Sequence, residues 1–162
     1  MRRKPVHDRT DFALLEALQK NARLTNKELA ALVHLAPSTC LERVRRLRAS
    51  GALRGFHAEV DPAALGIGLE AMVSVRIRHH SRRSIEDFQT QIAARPETAN
   101  IYHLAGANDF LVHVVVRDAA HLRDLALEAF TTRPEVEHME TALIFAHVRG
   151  PNLPNYLDPE QA

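Results

Sequence analysis

The sequence contains a single cysteine, Cys40, and no apolar stretch that approaches the ~20 residues a membrane-spanning helix requires. One thiol excludes an intrachain disulfide and a cysteine-based zinc site. The basic start, residues 1–5, is not followed by the apolar core of a signal peptide. We therefore expect a cytoplasmic protein without a membrane partner.

The sequence also offers little for catalysis. It has no Gly-rich phosphate-binding loop and no metalloprotease motif. Cys40 shares helical spacing with apolar Val44 and Leu47, which predicts a buried, inert side chain rather than a nucleophile. We therefore expect neither an enzyme nor a bound cofactor.

Charge is distributed unevenly along the 162 residues, although the formal net charge is only +1. Residues 1–60 carry 12 Lys and Arg against 6 Asp and Glu, a net charge of +6. Residues 61–162 carry 9 against 14, a net charge of −5. This asymmetry indicates that the N-terminal segment meets a polyanion, which charge alone does not identify as DNA, RNA or an anionic membrane.

Residues 1–60 predict three helices with short connections. The first helix has apolar residues at helical spacing after Asp8 or Thr10 as its N-cap. The second follows a capping box in which the Thr25 hydroxyl and the Glu28 side chain satisfy each other's backbone amides. A short turn leads from this helix to the third.

The third predicted helix starts at Pro37 and ends near Gly51, both in their preferred positions. Hydroxyls near its start and guanidinium groups further along suit a helix that lies in the major groove. The polar residues expected outside its apolar stripe are Ser38, Thr39, Glu42, Arg43, Arg45 and Arg46. A solvated Arg-rich surface helix is the alternative, but the preceding turn and capped helix favour a helix-turn-helix.

The segments after the third helix predict a domain boundary. Residues 53–60 place β-forming residues around a glycine, which predicts a short hairpin or an extended wing. Residues 61–68 are predicted to be a turn and linker. We therefore expect a winged helix-turn-helix domain at 1–60, a second domain at 69–148 and a tail at 149–162.

The second domain predicts the order βαββαβ, in which two helices cover one face of an antiparallel sheet. The strands are expected at 71–77, 98–105, 110–116 and 136–147. The helices are expected after Ser84 and Asp118 as N-caps, and residues 106–109 as a hairpin turn. The whole chain is thus predicted to be α+β, with a ferredoxin-like sandwich following the helix-turn-helix.

Several of these strands are apolar on both faces, although the two helices cover only one. In the third strand Phe110 and Val112 alternate with Leu111 and Val115, so both faces carry large apolar side chains. The second face is therefore expected to pack against another subunit. A monomer with a partly apolar sheet is the alternative.

Metal binding and RNA binding are further alternatives. His79 and His80 are adjacent at a strand end, but neighbouring strand residues point to opposite faces and do not converge on one ion. RNA-recognition domains share the βαββαβ order and stack bases on sheet aromatics. Here the third strand offers Phe110 without repeated aromatics, and the domain is acidic. Both alternatives are therefore disfavoured.

Taken together, these motifs resemble the Lrp/AsnC family, the leucine-responsive and asparagine-synthetase regulators also called feast/famine regulators. The resemblance covers about residues 8–148. The segments that carry it are DFALLEALQ (11–19), NARLTNKELA (21–30), APSTCLERVRRL (36–47), GALRGF (51–56), Asp61-Pro62 with Leu65-Gly66, and GANDFL (106–111).

The resemblance implies a transcription regulator that binds double-stranded DNA, assembles into dimers and commonly octamers, and responds to an amino acid or related metabolite. It implies DNA-binding residues at Thr25, Pro37, Ser38, Thr39, Glu42, Arg43, Arg45, Arg46 and Arg54. It implies effector-binding residues at His103, Gly106, Ala107, Asn108 and Asp109, of which Asp109 is the expected partner of a ligand ammonium. An effector-independent architectural protein of the nucleoid is the alternative.

Three residues depart from the family pattern. His34 stands where the family usually has Gly in the helix-turn-helix, and is disfavoured there if the backbone requires a positive φ. Ala36 replaces the usual Ser cap before the third helix, a loss of about 1 kcal/mol. Ala107 replaces a frequent Asp in the effector turn. The Pro-containing tail is predicted to be disordered or to lie on a neighbouring subunit.

Overall fold

The computed structural model describes residues 7–78, 81–150 and 152–157. These residues form two compact units. The N-terminal unit comprises the chain up to Glu59 together with the segment from Val148 onward, and the C-terminal unit spans Val60–His147. One unit is helical and the other contains a sheet, so the α+β class predicted from the sequence is confirmed.

The N-terminal unit contains the three predicted helices, α1 (Arg9–Lys20), α2 (Asn26–Leu32) and α3 (Pro37–Ala49). Asp8 caps α1 by accepting the Asp11 amide at 2.9 Å, and Thr25 caps α2 through the predicted box with Glu28. Both caps satisfy amides that would otherwise lack an intrahelical partner. Gly51 follows α3 with φ 79°, the left-handed conformation in which glycine terminates a helix.

The apolar stripe of α3 packs into the core of this unit. Cys40 and Leu47 are fully buried, beside Leu14 and Leu18 of α1 and Leu29 of α2. Burial raises the pKa of the Cys40 thiol, which disfavours the thiolate. With its apolar side inward as predicted, α3 presents its polar residues to solvent.

The turn between α2 and α3 places His34 at φ 53°, a conformation that costs a non-glycine residue about 1–2 kcal/mol. We predict that His34→Gly stabilises the N-terminal unit by roughly 0.5–1 kcal/mol, since the extra entropy of unfolded glycine offsets part of the relief. Hydrogen exchange of the α2 and α3 amides measures the change. His34→Ala is the control because it retains a Cβ, and equal stability of both variants would contradict the prediction.

The segment that follows α3 runs extended without forming a strand. Residues 54–60 have no strand assignment, so of the two predicted forms the hairpin does not occur. A strand requires a hydrogen-bonded partner, and the described part of the N-terminal unit contains no other strand. The predicted linker contains a 3₁₀ turn, Pro62–Leu65, capped by Asp61 and followed by Gly66 at φ 75°.

The C-terminal unit is a four-stranded antiparallel sheet with the predicted βαββαβ order. Its elements are β1 (Leu69–Ile77), α4 (Arg82–Ala93), β2 (Thr98–His103), β3 (Phe110–Val116), α5 (Ala119–Ala126) and β4 (Val136–Leu143). The strand order across the sheet is β2-β3-β1-β4. In this order β1 lies between β3 and β4, with Val73 opposite Val112 and Thr141.

The helices cover one face of this sheet and form its core. Phe88 of α4 stacks against Phe110 of β3 with ring centroids 4.8 Å apart. Leu125 of α5 and Phe130 of the following π-helical turn, Leu127–Thr131, are buried in the same cluster. Complete burial of such side chains contributes roughly 1.5–3 kcal/mol each, so this face of the sheet is closed.

Four predicted boundaries in this unit are wrong. β1 begins at Leu69 rather than 71, because Leu69 already pairs with Val116 of β3. The cap of α4 is Ser81, whose Oγ accepts the Ser84 amide at 3.0 Å, so Ser84 lies inside the first turn.

β2 ends at His103 rather than 105, because β3 begins opposite it at Phe110. β4 ends at Leu143 rather than 147. The Ile144 amide still donates to the Glu70 carbonyl at 2.9 Å, but β1 starts at Leu69 and the residues beyond have no strand to pair with.

The described part of the tail, residues 152–157, lies against α1 of the N-terminal unit. The Leu153 amide donates to Gln19 Oε1 at 2.8 Å, and a cavity of about 430 Å³ separates residues 152–155 from the outer side of α1.

In the part of the chain that the structure describes, no helix is long and apolar enough to cross a membrane.

Candidate nucleic-acid interface and effector site

The N-terminal part of α3 exposes the residues that the sequence predicted to meet DNA. Ser38, Thr39 and Glu42 are all exposed, and Pro37 occupies the first helical position. Arg45 is exposed and has no hydrogen-bond or ion-pair partner among the described residues. Spacing of four and seven residues places Glu42 and Arg45 on the same side of the helix as Ser38. This exposed polar stripe is free to contact a ligand.

Arg43 and Arg46 differ from Arg45 because both bind carboxylates of α1 and its cap. Arg43 Nη1 lies 2.7 Å from Asp8 Oδ2 and 2.9 Å from Asp11 Oδ1. Arg46 Nη2 lies 2.9 Å from Asp11 Oδ2. The hydrogen bond from Arg43 holds the pKa of Asp8 below its usual range, and Asp8 in turn raises the pKa of Arg43. The guanidinium of Arg43 is thus occupied by two carboxylates of the same unit.

This charge network was not predicted from the sequence. The sequence indicates Asp8 only as a cap and no role for Asp11, although both carboxylates stand one helical turn apart at the start of α1. A second unpredicted contact involves Arg48, whose guanidinium lies 6.0 Å from the centre of the Phe56 ring in the extended segment. This contact lies in the range of a cation–π interaction and joins the extended segment to the last turn of α3.

The remaining predicted DNA-binding residues lie on different parts of the unit. Arg54 is exposed in the segment after α3. The Thr25 hydroxyl is already engaged with the Glu28 side chain at 2.7 Å and with the Glu28 amide. Thr25 therefore offers a capped helix start rather than a free hydroxyl.

The start of α3 lacks a side-chain cap, as the sequence predicted for Ala36. Its φ −64° and ψ 142° already suit an N-cap residue, so a hydroxyl at this position would reach the first-turn amides. We predict that Ala36→Ser stabilises the N-terminal unit by about 1 kcal/mol. Hydrogen exchange of the α3 amides checks it, with the exposed Ala13→Ser as control, and an unchanged protection at α3 would count against the prediction.

The predicted effector turn lies between β2 and β3. Gly106 and Ala107 are exposed and Asn108 is half-buried. His103 stacks on Phe110 with ring centroids 4.9 Å apart. These residues therefore lie at one end of the sheet, as the sequence predicted.

Asp109 has a structural task within this turn. Its Oδ2 accepts the Ile77 amide of β1 at 2.7 Å, and its own amide donates to the Val75 carbonyl at 2.9 Å. Its carbonyl accepts the Leu104 amide at 2.8 Å, which closes the hairpin. The turn is consequently fixed to β1 through both the side chain and the backbone amide of Asp109.

The face of the sheet opposite the helices combines apolar and polar residues. Leu111 and Val115 of β3 and Met72 of β1 are only half-buried there. Between them His113 Nε2 lies 2.7 Å from Glu70 Oε2, a pair that the sequence analysis did not identify.

A second pair lies on the same face, where His138 Nε2 is 3.2 Å from Glu140 Oε1 and both residues are register partners of β1. The uncovered face thus combines apolar side chains with two charged or hydrogen-bonded pairs.

The described residues hold no group of three or more His, Cys, Asp and Glu that converges on a metal position. His79 and His80, weighed from the sequence as metal ligands, lie outside the described residues. The candidate sites among the described residues are therefore the exposed polar stripe of α3 and the turn between β2 and β3.

Comparison with known proteins assigns both units. Residues 7–54 match the family described as winged helix-turn-helix DNA-binding, and residues 70–152 match the Lrp/AsnC ligand binding domain. The HTH-type transcriptional regulator AldR of Mycolicibacterium smegmatis is 44% identical over 143 residues, which cover 88% of this chain and 84% of AldR. The leucine-responsive regulatory protein of Escherichia coli K12 is 32% identical over 145 residues, covering 90% and 88%.

A solved structure of another transcriptional regulator shares this fold. The transcriptional regulator of Neisseria meningitidis, solved as an L-Met complex, superposes with a TM-score of 0.81 at 30% identity over 90% of this chain and 94% of that one. These relatives are regulators rather than enzymes, which confirms that expectation. The chain belongs to the Lrp/AsnC family of DNA-binding transcription regulators.

Proposed function

We propose that this regulator reads DNA with α3 in the major groove. The observation that carries this role is the exposed stripe of Ser38, Glu42 and Arg45, which has hydroxyl, carboxylate and guanidinium groups beside the partly exposed Leu41. Arg45 is assigned to a guanine edge or a phosphate. We assign contacts with the flanking DNA backbone to Pro37, Thr39 and the capped helix start at Thr25, because helix N-termini favour phosphate.

The other basic residues are assigned by their surroundings. Arg46 is 59% exposed, so it can meet a phosphate while it keeps its bond to Asp11. Arg54 is assigned to the phosphate backbone beside the groove. Arg43, whose side chain is 24% exposed, is assigned to holding α3 rather than to a base. A DNA-bound regulator of this kind works in the cytoplasm, on the nucleoid, without a cofactor.

The experiment for this role is footprinting on a duplex that the wild-type chain enriches from a random pool. A dyad-related pair of α3 helices should protect two half-sites about 10 base pairs apart, centre to centre, or a multiple of that distance. Protection that follows no such spacing would contradict the proposed docking.

We further propose a homodimer, and from it an octamer, built on the uncovered sheet face. The support is the row of half-buried apolar residues Met72, Leu111 and Val115. Burying them against a second copy would contribute roughly 25 cal/mol per Å². The pair of His113 and Glu70 would meet its counterpart across that interface and fix the register of the two sheets.

We predict that Leu111→Glu lowers the molar mass in solution from a multiple of 18.2 kDa to that of one chain. A buried carboxylate without a partner would oppose association. Gln89→Glu on the exposed surface of α4 adds the same charge and should leave the mass unchanged. Light scattering checks both variants, and a wild-type chain that is stable at 18.2 kDa would contradict the dimer.

We propose an amino acid as the effector, bound near His103 and residues 106–109. Two observations support it: the family match is to a ligand binding domain, and a relative of 30% identity was solved with L-Met. A zwitterion requires amide donors for its carboxylate and an acceptor for its ammonium. The exposed turn offers amides, and Asp109 offers a carboxylate whose Oδ2 already holds β1.

Calorimetry with the twenty amino acids, L-methionine first, tests this site. Asp109→Asn keeps an oxygen for the Ile77 amide but removes the charge, so it should weaken binding at least about 10-fold while the hairpin stays formed. If Asp109→Asn binds the ligand as tightly as the wild type, the site assignment fails. If no amino acid binds at millimolar concentration, the architectural alternative stands instead.

A further inference from the structure

We propose that Asp11 is a positioning residue for DNA recognition, which holds Arg43 and Arg46 against α1 and so sets the face that α3 presents. The inference rests on the proposed docking of α3 and adds a determinant of its specificity. It assigns a DNA-binding effect to a residue outside the recognition helix.

Asp11 is the buried charged residue among those that the structure describes, with 1% of its surface exposed. Its Oδ1 accepts from Arg43 Nη1 at 2.9 Å and from Arg46 Nη2 at 3.0 Å. Its Oδ2 accepts from Arg46 Nη2 at 2.9 Å and from the Asp8 amide at 3.4 Å. Because an unpaired carboxylate is costly to bury, the two guanidinium groups are required at these positions.

This arrangement constrains the rotation of α3 about its axis. Arg43 and Arg46 are three residues apart, so they are neighbours on one side of the helix. Both reach the same carboxylate on α1, which fixes that side toward α1. The stripe of Ser38, Glu42 and Arg45 is thereby fixed in direction as well.

The same bonds keep the guanidinium of Arg43 away from sequence-independent contacts. A free guanidinium at the edge of α3 would bind phosphate of any duplex, because phosphate contacts carry no sequence information. Because Arg43 is held by Asp8 and Asp11, it makes no such phosphate contact with either a non-specific or a specific duplex. The carboxylates therefore raise the ratio of specific to non-specific affinity.

The test compares two duplexes of about 30 base pairs, three helical turns. One is enriched from a random pool by the wild-type chain, and the other is a scrambled duplex of equal composition. Each is titrated over a range of salt with the full-length chain and with Asp11→Asn, which keeps the side-chain volume and one acceptor oxygen. Circular dichroism confirms that each variant is folded.

Asp11→Asn is expected to bind the enriched duplex about 10-fold more weakly, which is the cost of one misplaced base contact. Its affinity for the scrambled duplex is expected to stay equal or rise. The salt slope on the scrambled duplex should steepen by about 0.9 for each arginine that gains a phosphate. A purely structural role of Asp11 would change neither that slope nor the affinity ratio.

Two further variants complete the test. Glu16→Gln removes an equal charge from α1, where Glu16 binds Lys20 at 2.6 Å, and should retain the wild-type ratio. Asp8→Asn keeps a good N-cap but removes one of the two carboxylates that hold Arg43, so it should show the same change in smaller degree and carries the test if Asp11→Asn does not fold.

Equal changes on both duplexes with an unaltered slope, in Asp11→Asn or in Asp8→Asn, would overturn the positioning role alone. A wild-type chain that does not distinguish the two duplexes would overturn the proposed recognition by α3, and the positioning role with it.

Discussion

Replacing Asp11 by alanine is expected to destabilise the N-terminal unit by about 2–3 kcal/mol, the range for hydrogen bonds to charged groups. The variant leaves Arg43 and Arg46 without the carboxylate that both of them contact, and leaves the Asp8 amide without its acceptor. The estimate is below that for a fully buried ion pair because the side chain of Arg46 is 59% exposed. Solvent can therefore compensate part of the loss.

Hydrogen exchange of the α1 and α3 amides measures this prediction, since it reports the opening of one unit separately from the other. Protection should fall about 30- to 150-fold, the equivalent of 2–3 kcal/mol. The control is Glu16→Ala, which breaks an exposed pair with Lys20 and should cost no more than about 0.5 kcal/mol. Equal costs of the two substitutions would show that the network does not stabilise the unit.

Replacing Arg45 by alanine is expected to weaken binding to an enriched duplex by about 1–3 kcal/mol without a change in stability. Arg45 is exposed and unpaired within the described residues, so its removal leaves no buried group without a partner. If Arg45 contacts a base, specificity at one position of the site relaxes. If it contacts a phosphate, affinity falls for all sequences and the salt slope becomes shallower by about 1.

Fluorescence anisotropy with labelled duplexes distinguishes these outcomes. Arg82→Ala serves as the control, because the substitution removes the same charge from the other unit. The Arg82 side chain is 91% exposed on α4. Identical affinities of Arg45→Ala and Arg82→Ala would show that Arg45 does not lie in the interface.

The orientation of α3 was predictable because it depends on local spacing. Cys40, Val44 and Leu47 recur at helical intervals, and the structure buries Cys40 and Leu47 completely. Local capping chemistry was equally informative at Thr25 and Asp118. It failed at α4 because Ser81 and Ser84 both suit an N-cap, and only the backbone path decides between them.

The charge network was not predictable from the same sequence. Asp11 and Arg43 are 32 residues apart, and their contact depends on how α1 and α3 pack against each other. The pair of His113 and Glu70 depends in the same way on the register of β3 against β1 across 43 residues. Spacing within one element carries no information on such contacts, so a residue such as Asp11 is identified only once the helices are in place.

The measurement that tests recognition by α3 most directly is the affinity of the wild-type chain for the enriched and the scrambled duplex over a range of salt. Recognition by α3 predicts that the logarithm of affinity falls linearly with the logarithm of salt concentration for both duplexes. The enriched duplex is expected to bind at least about 10³-fold more tightly at physiological salt. Equal affinity for the two duplexes, or affinity that does not change with salt, would contradict recognition by α3.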